Sequence, residues 1–335
     1  MSISVYFDDR WEGPHGIGRV ARVFMDFLEP ISLSLSGSPV SSIDPFRLSL
    51  KMLNLPKSSI VLSPGFNAPL LSFRPYIFMI HDLNHIDYVE NSSISKRLYY
   101  AIVIKRACHF AYKILTVSEF SKKRIIDWAG VPAEKVVNVS NGVSEHFLNP
   151  PEEYTSDFQY LLCVSNRKSH KNERRIIQAF AQARIDPLIK LLFTGDSTRE
   201  LVELAKELKV FSRITFLGQV LEKDLPGLYQ GALSLVFPSL YEGFGLPVVE
   251  AMACGTPVLT SSTTSLPEVA GDAAILVDPT SVLEISDGIE RIVKEDVLRK
   301  RLIVKGWQRA KLFDWSRVKS RVQNVLEECM VDMKT

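Results

Sequence analysis

Several features that would place a chain in a common class are absent from this one. Its four cysteines, Cys108, Cys163, Cys254 and Cys329, lie far apart, with no C-x-x-C pair and no Cys/His ligand spacing. That pattern argues against a zinc site and for reduced thiols in a cytosolic protein. No apolar run reaches the roughly 18 residues that a spanning helix needs, and the opening residues MSISVYFDD lack the basic segment that begins a signal peptide. The sequons at Asn91 and Asn138 therefore carry little meaning. Charge of one sign is not in excess either: 40 basic and 38 acidic residues leave +2, which gives no reason to expect a nucleic-acid partner. Nor is any aspartate followed two residues later by another, so the D-x-D pattern that holds a divalent cation is missing. No short-period repeat or low-complexity tract is present.

What is present suits a two-domain α/β protein. A length of 335 residues allows two domains and a substantial core. The stretch 236–260, VFPSLYEGFGLPVVEAMACGTPVLT, is the most informative. It reads as the end of an apolar strand, a loop with Glu242, two glycines around Phe244, a helix over 246–254 containing Glu250, and a new strand at Val258. Gly243 and Gly245 let a ligand come close to the backbone. Pro247 suits the first turn of a helix, and Gly255 with Pro257 suits its end. The free N–H groups and positive dipole end of that helix, starting at Leu246, make a site for an anion such as a diphosphate. The plainer alternative is an ordinary strand, turn and helix with Glu250 on a solvated face.

Elsewhere the chain alternates strands with helices. Residues 3–7 form a strand ending in Asp8 and Asp9, and Gly13-Pro14-His15-Gly16-Ile17-Gly18 opens an amphipathic helix over 19–28. Gly16, Gly18 and Ala21 match a dinucleotide fingerprint, but that motif wants its first glycine directly after the strand, and the loop here is long. Residues 32–54 are serine-rich and ambiguous. Strands at 59–62 and 76–80 follow, the second running into His81-Asp82-Leu83, at the strand end where α/β sheets place ligands. Residues 96–113, KRLYYAIVIKRACHFAYK, read as one helix, basic on one side and apolar on the other. Such a helix suits an anionic membrane surface, or else packs on the core with a solvated basic face. Strands at 114–117 and 136–139 come next, with a turn at Asn141-Gly142. The run Asn149-Pro150-Pro151-Glu152-Glu153 reads as a linker and sets a domain boundary at 150/151. Beyond it the pattern restarts: strands at 160–164, 190–193 and 214–217, a basic loop over 166–172, helices over 173–183 and 199–209, and a helical, highly charged stretch over 281–330. Two such halves imply two doubly wound Rossmann-like sheets facing one another across a ligand-binding cleft.

These residues carry a resemblance. PSLYEGFGLPVVEAMACGTPV, with seven residues between Glu242 and Glu250, resembles the E-x7-E signature of retaining glycosyltransferases of the GT-B fold, family 4. Gly16-Ile17-Gly18 resembles that family's N-terminal glycine loop, His81-Asp82-Leu83 its HDL motif, and Thr116-Val117-Ser118 its TVS strand end. Asn141-Gly142-Val143 resembles the N-G-V before its interdomain segment, Lys171-Asn172 its K-N or K-G with the basic lysine, and the segments 261–269 and 276–279 its closing part. One departure is Ser165-Asn166-Arg167, where many members have Gly-Arg.

The resemblance implies an acceptor-side domain over 1–150, with a C-terminal helix from about 313 packing back on it, and a donor domain over 151–312. It implies metal-independent transfer from a nucleotide diphosphate sugar to a saccharide or lipid-linked oligosaccharide, in polysaccharide or O-antigen synthesis, in the cytoplasm and at the inner face of the plasma membrane. GDP-mannose is the favoured donor and a UDP-sugar the second; no further cofactor and no metal is implied. Carried over residue by residue, Lys171, Arg167, the helix start at Leu246 and the Gly16 to Gly18 backbone meet the diphosphate, and Asn166 is a further donor-binding residue. Glu250 holds the ribose, Val220 lies in the loop that reads the base, Glu242 with Gly243, Phe244 and Gly245 holds the sugar, and His81 reaches it near the reacting carbon. A retaining glycoside hydrolase would need two carboxylates about 5 Å apart on a barrel pattern that is lacking here. A non-catalytic sugar-nucleotide binder would not need Glu242, Glu250, Lys171 and His81 together.

Overall fold

A computed structural model describes residues 3–13, 16–88, 90, 92–149 and 156–334. Pro14, His15, Asn91 and the linker residues Pro150 to Glu153 lie outside the described residues. The chain divides into two compact units, Met1–Asn141 with Ser316–Thr335, and Gly142–Trp315.

The first unit is built on six parallel strands, β1 (Ser4–Phe7), β2 (Ile31–Ser32), β3 (Ser59–Ser63), β4 (Tyr76–Met79), β5 (Lys113–Thr116) and β6 (Val136–Asn138), in the order β2-β1-β3-β4-β5-β6. Register is set by pairs such as Val5 with Ile60 and Ile77 with Lys113. Strands β3 and β4 are buried at every position, as expected of parallel strands covered on both faces. The ambiguous serine-rich stretch supplies β2 and a helix, Asp44–Leu53. The helix Trp315–Asp332 returns to this unit: Tyr112 donates to Asp332 at 2.7 Å and Lys113 bridges Glu328 at 2.8 Å.

Three expectations are corrected here. The single helix over 96–113 is instead Ile94–Tyr99, a π-turn Tyr100–Ile104 and Lys105–Phe110. It stops because the Tyr112 N–H donates to the Tyr76 carbonyl at 2.8 Å, which draws the chain into the sheet, so that Lys113 opens β5. The helix after β1 begins at Gly16, so Gly16, Ile17 and Gly18 form its first turn rather than a preceding loop. Asn141-Gly142 is not a turn; the chain runs on and Val143 pairs with Asp314. Gly142 is glycine for space, because an added Cβ would lie 2.3 Å from the Trp315 indole.

In the second unit β7 (Tyr160–Cys163), β8 (Lys190–Phe193), β9 (Ile214–Phe216), β10 (Ser234–Phe237), β11 (Val258–Ser261) and β12 (Ala274–Val277) form a parallel sheet in the order β12-β11-β10-β7-β8-β9. Alternate strand residues, Leu161, Leu191, Val236 and Leu259, meet Ile176, Phe180, Leu204 and Ile289 of the crossover helices. The intervening residues, including Leu162 and Leu235, are also fully buried. The unit starts earlier than the expected 150/151 boundary. Phe147, on the short helix Glu145–Leu148, is fully buried with its ring 6.0 Å from that of Tyr229, and its carbonyl accepts from the Cys254 thiol.

All four cysteines are free and buried, and burial pushes the thiols of Cys108, Cys254 and Cys329 up to about 12. The first unit also encloses a charged network after β1. Arg10 grips Asp8 with two bonds of 2.7 Å and reaches Asp44, and both carboxylates are buried. Burial works against the Arg10 charge, but its hydrogen bonds to the two carboxylates, and their negative charge, outweigh it and raise its pKa. Asn67 completes the set: its amide donates to Asp8 at 2.8 Å and Asp44 at 3.2 Å and accepts from Trp11 at 2.7 Å and Ser63 at 2.6 Å. Every hydrogen-bonding position of this buried amide is used, and removing it strips partners from four others. Asn67→Ala is therefore expected to cost about 3 kcal/mol, read as a fall in the thermal midpoint. A midpoint within about 2 °C of wild type would show that the network does not depend on that amide.

Candidate functional site

Each sheet has one place where successive connections leave in opposite directions, and the loops after those strands splay apart to leave a crevice. In the second unit it lies between β7 and β10, since β8 and β9 extend to one side and β11 and β12 to the other. The loops that follow β7 and β10 carry Lys171 and Glu242. Neighbouring position is not enough to bring two side chains together; the loops are also tied. Asn172, at φ 63°, donates from its side-chain amide to the Pro238 carbonyl at 2.9 Å and the Pro279 carbonyl at 2.6 Å. The His170 carbonyl accepts from the Leu240 N–H at 2.7 Å and the Ser239 hydroxyl at 2.9 Å.

Lys171 is thereby delivered to Glu242, Nζ to Oε1 2.7 Å, with the two side chains 12% and 13% exposed. Its ammonium also lies 4.8 Å from the Phe237 ring centroid, a cation–π contact. The Glu242 loop is held in turn by Ser265, whose hydroxyl donates to the Glu242 carbonyl at 2.9 Å and the Phe244 carbonyl at 3.1 Å. Phe244 is buried, its ring edge-on to Phe313 at 5.3 Å. Gly245 is required twice over: it sits at φ 97°, and an added Cβ would lie 2.5 Å from Leu266 Cδ2. It also caps the helix Leu246–Ala253 without a side-chain bond, with proline in the first turn. A helix start of this kind directs N–H groups and a positive dipole end at an anion.

Glu250 is buried within that helix, at 3% exposure, which rules out the solvated-face reading; Tyr229, fully buried, donates to its Oε2 at 3.0 Å. A buried carboxylate with a phenol on one oxygen is a fixed acceptor for ligand hydroxyls. Tyr229, Ser265 and Phe313 were given no role by the sequence reading, because a lone Tyr, Ser or Phe far along the chain carries no local signal. Only the motif-like segment 261–269 hinted at Ser265.

Arg167 is engaged within the unit. Its guanidinium donates to the carbonyls of Thr194 at 2.8 Å, Gly195 at 2.7 Å and Asp196 at 2.5 Å, and pairs with Glu173. The rings of Phe193 and Phe216 lie 5.6 Å and 5.3 Å away. Four of its five N–H groups are thus spent on the three carbonyls that follow β8 and on Glu173 at the start of the helix after β7. Asn166 is exposed and Val220 half-buried in the loop after Gly218.

The remaining candidates belong to the first unit. His81 follows β4 with Nε2 2.9 Å from the Pro64 carbonyl; a carbonyl only accepts, so Nε2 carries the proton. Gly18 is buried and an added Cβ would lie 2.2 Å from the Gly13 carbonyl oxygen, whereas Gly16 has open space around it and Ile17 is half-buried.

Solved structures share this architecture. HepE from Anabaena, determined in complex with UDP and glucose, superimposes with a TM-score of 0.77 at 18% identity, covering 97% of this chain and all of that one. Fold and site together define a GT-B protein.

Sequence comparison narrows the class. Residues 148–309 match the family Glycosyl transferases group 1, and 43–147 match Glycosyltransferase Family 4. O-antigen chain mannosyltransferase B of Escherichia coli is 33% identical over 282 residues, 80% of this chain and 74% of that protein. O-antigen chain mannosyltransferase RfbU of Salmonella typhimurium is 28% identical over 251 residues, 74% of this chain and 69% of that protein. The chain belongs to glycosyltransferase family 4, and it is a glycosyltransferase.

Because Glu173 is 9% exposed in its pair with Arg167, Arg167→Ala leaves a buried carboxylate unpartnered. It is expected to destabilise the second unit by about 3 kcal/mol, measured by chemical denaturation without nucleotide. An unchanged denaturation midpoint would show that the arginine is not structural.

Proposed function

We propose that this chain is a retaining, metal-independent mannosyltransferase that moves mannose from GDP-mannose to a saccharide or lipid-linked oligosaccharide in O-antigen biosynthesis. The observation that carries the reading is the Lys171–Glu242 pair, 2.7 Å apart, on loops tied together at the β7/β10 switch point, with the bare start of the helix Leu246–Ala253 close by in the same loop. The leaving diphosphate develops negative charge as its bond to the anomeric carbon breaks. Lys171 and the N–H groups of the helix start supply the compensating charge, and donors aimed in this way are each worth about 3 to 4 kcal/mol of barrier. Glu250 accepts from the ribose hydroxyls, which requires a carboxylate held rigid, as its bond to Tyr229 does. Glu242 and the Gly243 to Gly245 backbone hold the sugar, and within the first unit His81 and the Gly16 to Gly18 turn are the donor-binding residues. The acceptor hydroxyl attacks from the face the phosphate leaves, its oxygen bonds to the anomeric carbon, and its proton passes to a phosphate oxygen. Asn166 and the 218–220 loop with Val220 flank the nucleotide.

Mannose is supported by the names of the two O-antigen relatives. UDP is what HepE holds, so a UDP-sugar is the second reading of the donor. The same proposal places the protein in the cytoplasm against the inner face of the plasma membrane, touching it through the basic and apolar segment around 96–113.

Thermal unfolding should shift upward with GDP-mannose and less with UDP-glucose or UDP-N-acetylglucosamine; a shift with none of them would remove the nucleotide-sugar reading. Lys171→Ala should lower turnover at least about tenfold, or about 1.4 kcal/mol, and near-normal turnover would take Lys171 out of the diphosphate site.

A further inference from the structure

The helix Asp44–Leu53 is apolar on two sides, which a helix packed on a core at one face does not need to be. Its inner side, Pro45, Leu48 and Met52, is buried. Its outer side carries Phe46, Leu50 and Leu53, with Ile43 just before it, and these are 58%, 46%, 50% and 52% exposed. The spacing of three, four and three residues puts all four on one stripe. Alongside runs the segment 70–74, docked by the Leu70 N–H on the Pro45 carbonyl at 3.1 Å and the Leu71 N–H on the Ser49 hydroxyl at 3.0 Å. It adds Leu71 and Phe73, both exposed. Large apolar side chains gathered this way mark an interaction surface, unlike the scattered single ones of an ordinary surface.

The charges around this ridge indicate its occupant. Residues 45–81 contain no aspartate or glutamate and four cations, Arg47, Lys51, Lys57 and Arg74; residues 91–118 contain no acid and five more, Lys96, Arg97, Lys105, Arg106 and Lys113, of which Lys113 is already paired with Glu328. In a chain whose net charge is only +2 this is a strong segregation. The only acid in the helix Asp44–Leu53 is Asp44, which is buried against Arg10. The two acid-free segments are also neighbours. At the turn after β3, the Phe66 ring packs 5.7 Å from that of Tyr100 while Asn67 bonds Asp44. The second segment presents its own stripe, Ile94, Leu98 and Ile102, at 88%, 57% and 58% exposure.

We infer that the ridge of Phe46, Leu50, Leu53, Leu71 and Phe73, with Arg47 and Lys51 at its edge, is a second docking element that inserts into the headgroup region of an anionic lipid surface. Apolar side chains enter the interface while the cations meet lipid phosphates, and two separate elements give a lasting attachment where one gives a transient one. No helix among the described residues is long and apolar enough to cross a membrane. The inference deepens the membrane contact proposed above and is independent of the sugar chemistry.

The experiment floats the full chain on phosphatidylcholine vesicles with and without phosphatidylglycerol. Wild type is expected to float only with the anionic lipid. The variant Phe46→Ser with Leu50→Ser should lose binding at least about tenfold, and Arg47→Gln with Lys51→Gln should lose it in a salt-dependent way. Thermal shift with nucleotide sugar reports whether each variant keeps its fold and donor site. Unchanged flotation of Phe46→Ser with Leu50→Ser overturns the inference. If at the same time Lys105→Gln with Arg106→Gln abolishes binding, the membrane contact stands on the other segment alone. Wild type that fails to float at all overturns both. A wild-type dimer that Phe46→Ser with Leu50→Ser converts to monomer, with flotation unchanged, assigns the ridge to a second copy of the chain and overturns the lipid assignment.

Discussion

One side-chain amide organises the second unit's site. Asn172 spans from the loop after β7 to the carbonyls of Pro238, after β10, and Pro279, after β12. Three strand ends are thus held at one level, and Lys171, the residue before it, is carried into reach of Glu242. Had the amide been absent, two prolines would present unpaired carbonyls and the Lys171–Glu242 pair would depend on two mobile side chains, which in water is worth little. Here the loops are fixed first and the ion pair follows, so a cation and a carboxylate stand ready with most of their solvent already removed.

The same economy governs the buried charges. Arg10 in the first unit and Arg167 in the second both lie just after the first strand of their sheets, and both are surrounded by carboxylate or carbonyl acceptors. Burial of a guanidinium is tolerable only when its fork of donors is matched. Such arginines are tied into the protein by several acceptors, whereas Lys171, with its flexible stem and single compact charge, is paired with Glu242 alone among the carboxylates of the described residues. An arginine in a motif position is therefore not by itself a ligand contact.

Much of the fold was legible in the residues. Continuous apolar strands such as SIVLS and YIFM, punctuated by Gly, Pro and Asn, predict parallel strands with covered faces, and the helix from Leu246 begins at its Gly-Leu-Pro signal. Where the reading went astray, a distant partner had won. The helix over 96–113 stops at Phe110 because the sheet captures Tyr112, and Asn141-Gly142 is no turn because Val143 pairs with Asp314 and the Trp315 indole lies against Gly142. None of those partners is near in sequence. The boundary at 150/151 was misplaced for a similar reason, since Phe147 finds its packing on Tyr229 rather than behind it in the chain.

Sequence alone determined the chemistry available: which loop is glycine-rich and bends closely, which helix starts bare, which residues carry charge, and that two runs of chain hold no acid at all. These are local properties, fixed by backbone preference and composition. The tertiary structure decided which of those residues meet. It set Glu250 against Tyr229, spent Arg167 on carbonyls, and brought Lys171 to Glu242 from 71 positions away. It also left one apolar stripe of the helix Asp44–Leu53 uncovered. A pairing over such separations depends on strand order, and strand order is settled by how a whole sheet closes its core, which no short stretch of sequence encodes.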